Sequence, residues 1–168
     1  MSRRLAFLAL FAALIAAPAL ADYVTPGTGV QWTLDDLVAA SGGAVTGSEG
    51  QYTVHASVTV SLTDRLELQH SQTLVFADTS GEVQLDIHGS LIGRQARLTS
   101  ATAQPGDWYG VRFRDTDAGT VLDLEGCTLE YGRYGVDVVY ADIRLVGCRI
   151  RHTLEKAVDL TGSGGEVV

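Results

Sequence analysis

The chain has 168 residues, 46% of them hydrophobic, and carries 20 acidic against 12 basic residues for a net charge of −8. This is enough material for one domain, and it is too apolar for an intrinsically disordered acidic tail. The negative charge gives no electrostatic basis for binding nucleic acid or an anionic membrane, so both classes of partner are excluded.

Residues 1–21 predict a secretory signal peptide. Arg3 and Arg4 form a basic start, residues 5–17 form an apolar run, and residues 18–21 supply a small-x-small cleavage site. The run is shorter than the roughly 20 residues that a membrane span needs. We therefore expect an exported protein, in the periplasm, at the cell surface or outside the cell, without a membrane span.

Residues 22–51 are expected to form an N-terminal cap segment with a short helix. Thr33 is a suitable helix N-cap, two acidic residues follow in the first turn, and the Gly-Gly pair at 42–43 ends the helix. A helix this short is marginal alone, so we expect its apolar side chains to cover the strand edges of the first coil. These side chains are Leu34, Leu37 and Val38.

Residues 52–168 carry an internal repeat of 21 to 25 residues. The stretch 122–130 matches the stretch 143–151 position by position, with a Gly-Cys pair at the same place in both. A second motif of four residues begins at Gly110, Gly135 and Ala157. Periods of this length are typical of solenoids, in which each short unit buries its apolar face by stacking on its neighbours.

The repeating units have the pattern of strands. Apolar and polar residues alternate over three to five positions, as in the stretch 83–87, and the runs end at Gly, Asp and Ser/Thr clusters. A β-sandwich also has such strands, but it does not return the same residue at the same register in every repeat. We therefore predict an all-β fold, a parallel β-helix (solenoid) of about five coils with a short N-terminal capping helix.

Residues 106–113, which read GDWYGVRF, and the Leu-x-Gly-Cys pattern after them resemble the right-handed parallel β-helix repeat family of secreted bacterial proteins, a pectate-lyase-like scaffold. The resemblance implies a right-handed helix. It does not fix the activity, because this scaffold serves polysaccharide lyases, hydrolases, epimerases and non-catalytic surface proteins alike. The family often stacks Asn before the Cys, whereas this chain has Gly126 and Gly147 and so lacks the amide ladder.

Stacked coils lie about 4.8 Å apart, so outward side chains at equivalent positions form columns. Arg112, Asp137 and Asp159 are expected to share one column. One interpretation is a Ca²⁺-assisted lyase site acting on an acidic polysaccharide. The other is a set of charge pairs that relieves like-charge stacking, and we favour it because each base lies beside an acid. Asp123 with Arg144 and Glu130 with Arg151 are expected to form similar pairs.

Aromatic residues concentrate in two successive coils, where a ring on a flat wall can stack on the apolar side of a sugar. The candidates for ligand binding are Trp108, Tyr131 and Tyr134, and core packing is the competing interpretation.

Asp115 and Asp117 resemble the start of a Ca²⁺ loop, but the third ligand is missing. A turn is therefore favoured there, and we expect no cofactor, with Ca²⁺ as the weaker option.

Cys127 and Cys148 are expected to face inward, one above the other. Parallel in-register side chains keep their β-carbons further apart than the roughly 3.8 Å of a relaxed disulfide. We therefore predict two buried free thiols rather than a bridge.

Residues 161–168 stop one strand into a new coil, so we expect the C-terminal end to continue into further coils or to stack on another subunit. Taken together, the sequence favours a secreted or cell-surface module that serves as a binding or structural scaffold for extracellular carbohydrate or surface contacts. A polysaccharide lyase or hydrolase acting on acidic polysaccharide is the alternative.

Overall fold

The computed structural model describes residues 20–77, 80–114 and 119–168. Within these ranges the chain forms one helix, α1 (Leu34–Ala40), and 18 strands. The strands are β1 (Tyr23–Val24), β2 (Gln31–Trp32), β3 (Val45–Ser48), β4 (Gln51–Val54), β5 (Val58–Val60), β6 (Arg65–Leu68), β7 (Thr73–Phe76), β8 (Gln84–Ile87), β9 (Ser90–Arg94), β10 (Arg97–Ser100), β11 (Gly110–Arg114), β12 (Leu122–Glu125), β13 (Thr128–Glu130), β14 (Tyr134–Val139), β15 (Asp142–Val146), β16 (Arg149–Arg151), β17 (Lys156–Thr161) and β18 (Gly164–Val167). In these ranges the structure has no helix of the length and apolar character that a bilayer crossing requires.

The strands form three sheets, each of which takes one strand from every coil. Sheet A has the order β1-β5-β8-β11-β14-β17, sheet B the order β2-β6-β9-β12-β15-β18, and sheet C the order β3-β4-β7-β10-β13-β16. From β5 onward the chain visits sheets A, B and C in turn, and neighbouring strands are parallel. The predicted parallel β-helix is confirmed. It makes about four full turns rather than five, because β1 and β2 have only two residues each and β17 and β18 begin a turn without a strand in sheet C.

The register confirms the predicted columns. Val111 lies over Val136, and Val136 lies over Val158, so residues 25 and then 22 positions apart stack directly. Their side chains point inward, together with the other apolar residues of each strand, while the polar residues between them point out. Each large apolar side chain buried in this way contributes about 1.5–3 kcal/mol relative to exposure. The interior is therefore a stack of apolar layers.

The turn between sheets B and C requires a left-handed backbone, as the Gly-Cys pattern predicts. Gly126 and Gly147 have φ angles of 63° and 59° at equivalent places in successive coils. Glycine adopts this conformation without steric cost. Gln95 takes the same conformation one coil earlier, with φ 51°, so the turn does not depend on glycine at every level.

The helix caps the N-terminal end of the solenoid. Thr33 is its N-cap and forms a capping box with Asp36, in which each side chain accepts a hydrogen bond from the other's backbone N–H. Leu34 and Leu37 are buried as predicted, and Val38 packs against the core while remaining partly exposed. The cap segment, 22–51, also supplies β1, β2 and the antiparallel strand β3 to the edges of the three sheets.

Asp64 anchors the segment between β1 and β2. Its buried carboxylate accepts backbone hydrogen bonds from Gly27 at 2.9 Å, Gly29 at 2.9 Å and Val30 at 3.1 Å. Burial would raise the pKa of Asp64, but these bonds and one from Thr25 outweigh it and lower the pKa. The acid is thus a structural part of the first turn, because its charge is satisfied by the loop that it holds.

The opposite end of the solenoid exposes its last strands. In the described part of the chain, no strand pairs with the outer edges of β16, β17 and β18. Leu160 and Val167 are exposed on this end. The continuation into further coils or onto a second subunit stays a prediction.

Candidate functional site

The outer face of sheet A carries a column of polar side chains. Thr59, Asp86, Arg112, Asp137 and Asp159 follow one another in register, one from each successive coil. The predicted stacking of Arg112, Asp137 and Asp159 is therefore confirmed. We call this face the sheet A wall; the side chains that define it are Asp86, Tyr109, Arg112, Tyr134, Asp137 and Asp159.

Asp137 lies at the centre of the wall and is engaged from two sides. The hydroxyl of Tyr109 donates a hydrogen bond of 2.8 Å to its Oδ2 atom. Arg112 Nε lies 3.6 Å from the same oxygen, and the Arg112 guanidinium lies over the Tyr109 ring, 5.5 Å from its centroid. The three side chains thus form one cluster, in which an ion pair, a cation–π contact and a hydrogen bond support each other.

This cluster raises the pKa of Tyr109. Burial raises it, the hydrogen bond to Asp137 and the charge of that carboxylate raise it further, and Arg112 opposes the shift, which brings the pKa to about 12. A phenol of ordinary pKa is already protonated at neutral pH, and this shift keeps Tyr109 protonated in mildly alkaline solution as well. Tyr109 therefore acts as a hydrogen-bond donor on the wall.

Asp159 and Asp86 have basic partners as well. Lys156 Nζ donates a hydrogen bond of 2.8 Å to Asp159 Oδ2. The buried carboxylate of Asp86 accepts a hydrogen bond of 3.0 Å from Arg114, and His88 Nε2 lies 3.4 Å from the same oxygen. Each acid of the column is thus paired with a base, which agrees with the charge-pairing interpretation of the column.

Two tyrosines form the aromatic part of the wall. The rings of Tyr109 and Tyr134 come from adjacent coils, with centroids 5.2 Å apart and a tilt of 43°. Both side chains are partly exposed. The hydroxyl of Tyr134 donates a hydrogen bond of 2.5 Å to Glu155, and this bond raises the pKa of Tyr134. The pair gives the wall a strip of ring surface next to charged groups.

The structure places Trp108 in the core, so its expected role in ligand binding is wrong. The side chain is fully buried, stacks on Phe76 at a centroid distance of 3.9 Å, and donates its indole N–H to Glu130 O at 2.9 Å. Gly110 explains the difference, because its φ of 129° interrupts the alternation that runs back from β11. Trp108 therefore turns inward and Tyr109 turns outward.

Tyr131 lies at the corner that follows sheet C. It is partly exposed and stacks on His152 of the next coil, with centroids 5.1 Å apart and an interplanar angle of 8°. Both residues have a left-handed backbone, with φ of 65° and 57°. The ring thus packs on the corner residue of the next coil, and its role in ligand binding stays a prediction.

The outer face of sheet B holds a charge ladder. Asp123 accepts hydrogen bonds from Arg94 at 2.6 Å and from Arg144 at 2.8 Å, and Arg144 also lies 3.5 Å from Glu166. Burial would raise the pKa of Asp123, but the two guanidinium groups outweigh it and lower the pKa. The predicted pairing of Asp123 with Arg144 is confirmed.

The outer face of sheet C also has an acid bound by two arginines, and here the acid is fully buried. We call this cluster, which consists of Arg97, Glu130 and Arg151, the sheet C clamp. Glu130 is buried, and Arg97 donates two hydrogen bonds to its Oε2 atom, at 2.8 and 2.6 Å. Arg151 binds the other carboxylate oxygen from the following coil. The predicted contact between Glu130 and Arg151 is confirmed, and Arg97 adds a second guanidinium.

The described ranges contain no cluster of three or more His, Cys, Asp or Glu side chains arranged to hold a metal ion. Asp115 and Asp117, the weaker Ca²⁺ candidates, lie outside the described residues. The predicted signal peptide also lies outside them, except for residues 20 and 21.

Cys127 and Cys148 are free thiols, as predicted, but only Cys127 is fully buried. Cys148 is half-buried, because no further coil covers its corner in the described part of the chain. The Cys127 thiol lowers the pKa of Cys148 to about 7, although burial opposes the shift. The same interaction, together with burial, raises the pKa of Cys127. The outer sulfur is thus the more easily ionised of the two.

Comparison of the chain with models of protein families, with curated proteins and with solved structures finds no match. The resemblance to the pectate-lyase-like β-helix family therefore stays a prediction that rests on the sequence motifs.

Proposed function

We propose that the chain is an exported or cell-surface β-solenoid module that binds extracellular carbohydrate through the sheet A wall. In this proposal it is a scaffold and not an enzyme. The observation that carries the proposal is the partly exposed pair of Tyr109 and Tyr134, which lie 5.2 Å apart on adjacent coils.

The tyrosine pair has the features of a sugar-binding strip. An aromatic ring offers a flat apolar surface, and the apolar side of a pyranose packs on such a ring. Arg112, whose guanidinium lies over the Tyr109 ring, and Glu155, which accepts a hydrogen bond from the Tyr134 hydroxyl, place charged groups next to the two rings, where they can bind sugar hydroxyl groups. Tyr134 is the first residue of β14 and Tyr109 directly precedes β11, so the sheet positions both rings and little conformational entropy is lost on binding.

The pairing of the acids favours a binding module over an enzyme. The Oδ2 atom of Asp137 accepts a hydrogen bond from Tyr109 and lies next to Arg112, and the Oδ2 atom of Asp159 is bonded to Lys156. Each carboxylate thus has a positively charged neighbour, which is the arrangement expected where acids stack in a column and need their charge neutralised.

The test is affinity electrophoresis of the full chain in gels that contain pectate, alginate or a neutral glucan. We expect retardation by at least one polymer, and we expect Tyr134→Ala to weaken it by about three- to tenfold, the value of one stacking contact. Tyr140→Ala is the matched control, because Tyr140 follows the other end of β14 and is exposed. No retardation, or equal effects of the two substitutions, would contradict the proposal.

The alternative function is a polysaccharide lyase or hydrolase acting on acidic polysaccharide. The in-register column of Arg112, Asp137 and Asp159 on one face is the observation that favours it. Incubation with pectate or alginate distinguishes the two. Release of unsaturated oligosaccharides that depends on Ca²⁺ and disappears in Asp137→Asn would support a lyase, and new reducing ends without unsaturation would support a hydrolase. The scaffold proposal expects no product from either polymer.

A further inference from the structure

The two cysteines occupy one column at the corner that precedes sheet C. Arg97, Thr128 and Arg149 are in register as the first residues of β10, β13 and β16. The residues immediately before them are Ala96, Cys127 and Cys148. Two thiols therefore stand on adjacent coils, above an alanine at the same position of the coil before.

Backbone carbonyl groups position both sulfur atoms. Cys127 Sγ donates a hydrogen bond of 3.6 Å to Glu125 O, and Cys148 Sγ lies 3.7 Å from the O atom of Val146, the register partner of Glu125. Cys148 Sγ also donates a hydrogen bond of 3.2 Å to Leu124 O, which belongs to the coil of Cys127. The two cysteines are therefore one strand spacing of about 4.7–4.9 Å apart, and the sulfur of Cys148 is turned towards the coil of Cys127.

This spacing disfavours a disulfide, because stacked β-carbons about 4.7–4.9 Å apart exceed the roughly 3.8 Å of a relaxed bridge. The spacing is close to that of a different bond pattern. Two metal–sulfur bonds placed end to end, each about as long as the roughly 2.3 Å zinc–thiolate bond, span about 4.6 Å.

We propose that Cys127 and Cys148 bind a single soft monovalent cation, Cu(I) or Ag(I), in a two-coordinate site between adjacent coils. Thiolate sulfur is the ligand type that selects such ions. Binding forms two metal–sulfur bonds, and each thiol releases one proton to solvent. No electron is transferred, so the step requires neither an oxidant nor a reductant.

The surroundings of the two cysteines determine which sulfur is nearer to solvent and how many ligands a metal ion can have. Cys148 is half-buried, so its sulfur is the one nearer to solvent. In the described part of the chain, the two sulfurs have no third His, Cys, Asp or Glu with which to complete a metal site. Zn²⁺ prefers four ligands and is therefore a poor occupant.

The test is an anaerobic titration of the reduced full chain with Ag(I), and then with Cu(I), against a competing chelator. We expect one ion per chain and at least about 100-fold weaker binding of Zn²⁺. Cys127→Ala and Cys148→Ala should each weaken Ag(I) binding by at least about 100-fold. Both substitutions are suited to the fold, because Ala96 already occupies this corner.

X-ray absorption of the loaded protein should show two sulfur neighbours around the metal ion and no further ligand. Two free thiols should be counted in protein purified without reductant. The proposal is overturned if no ion binds, if either single variant binds Ag(I) as tightly as the parent, or if mass spectrometry finds a disulfide between the two cysteines.

Discussion

The sheet A wall and the sheet C clamp are built by the same alternation on the same coils, yet they use their carboxylates differently. Glu130 in the clamp is buried, and two guanidinium groups from neighbouring coils bind it. Asp137 in the wall is also largely buried, but it receives a tyrosine hydroxyl and only one guanidinium, both at the same oxygen. The stacking of charged residues in register therefore does not by itself decide whether they form a buried ion-pair cluster or part of an accessible surface.

The difference lies in what surrounds each carboxylate. In the clamp, Arg97 and Arg151 approach different oxygens of Glu130, so both oxygens are occupied and the acid has no direct contact with solvent. In the wall, Tyr109 and Tyr134 stand beside the acid and expose part of their rings. A paired charge next to exposed rings leaves a surface on which a ligand can lie.

The largest expected effect on stability is at Trp108, which precedes Tyr109 of the sheet A wall and donates a hydrogen bond to the backbone of Glu130 in the sheet C clamp. The indole stacks on Phe76 and donates to Glu130 O, so Trp108→Ala removes a core layer and a hydrogen bond next to the clamp. We expect a loss of about 3–5 kcal/mol in the free energy of unfolding, measured by urea denaturation. Trp108→Phe keeps the stack and loses the N–H, and should cost clearly less. Equal losses for the two variants would show that ring stacking contributes little.

The second effect is at Glu130. Glu130→Gln weakens the charge-assisted bonds from Arg97 and Arg151, and we expect a loss of about 1–3 kcal/mol in unfolding free energy. Glu67→Gln is the matched control, since Glu67 bonds to Arg65 at 2.6 Å on an exposed face. That substitution should cost under about 1 kcal/mol. Similar losses at both sites would remove the distinction between the clamp and an ordinary surface pair.

The clamp should also depend on pH. Burial would raise the pKa of Glu130, but the bonds and charges of Arg97 and Arg151 outweigh it and lower the pKa. A carboxyl with a lowered folded pKa contributes stability that is complete above its unfolded pKa of about 4.3 and is lost as pH falls through the folded value. The stability difference between the parent and Glu130→Gln should therefore be largest near pH 7 and shrink below about pH 4. A difference that does not change with pH would contradict this account.

The sequence was sufficient to predict the stacking of the coils. Val111, Val136 and Val158 return at one position of each repeat, and the structure places them in adjacent layers. The reason is physical, because a unit that cannot bury its own apolar face leaves a periodic pattern when it stacks on copies of itself. The capping helix was predictable for a similar reason, since the signals for its N-cap at Thr33 are local.

The parts of the site that the sequence did not predict depend on breaks in that pattern. The positive φ of Gly110 reverses which of Trp108 and Tyr109 faces outward, and alternation counted back from Val111 gives the wrong answer. Asp86 was missed because its partner Arg114 comes from the following coil. Asp86 is in register with Arg112, so an alignment extended by one more coil would have placed it in the column.

The smallest effect on stability is expected from substitution of Asp137, but this substitution should change the pKa of Tyr109. Asp137→Asn removes the charge that Tyr109 faces, so the pKa of Tyr109 should fall from about 12 but stay above 10, because burial still raises it. Ultraviolet titration of the phenol measures the shift. Asp159→Asn is the control and should leave this pKa close to its parent value, since Asp159 bonds to Lys156. An unchanged Tyr109 pKa in Asp137→Asn would mean that burial alone raises the pKa of the phenol. The tyrosine, arginine and aspartate of the wall would then not form one electrostatic cluster, and the contrast with the sheet C clamp would rest on exposure only.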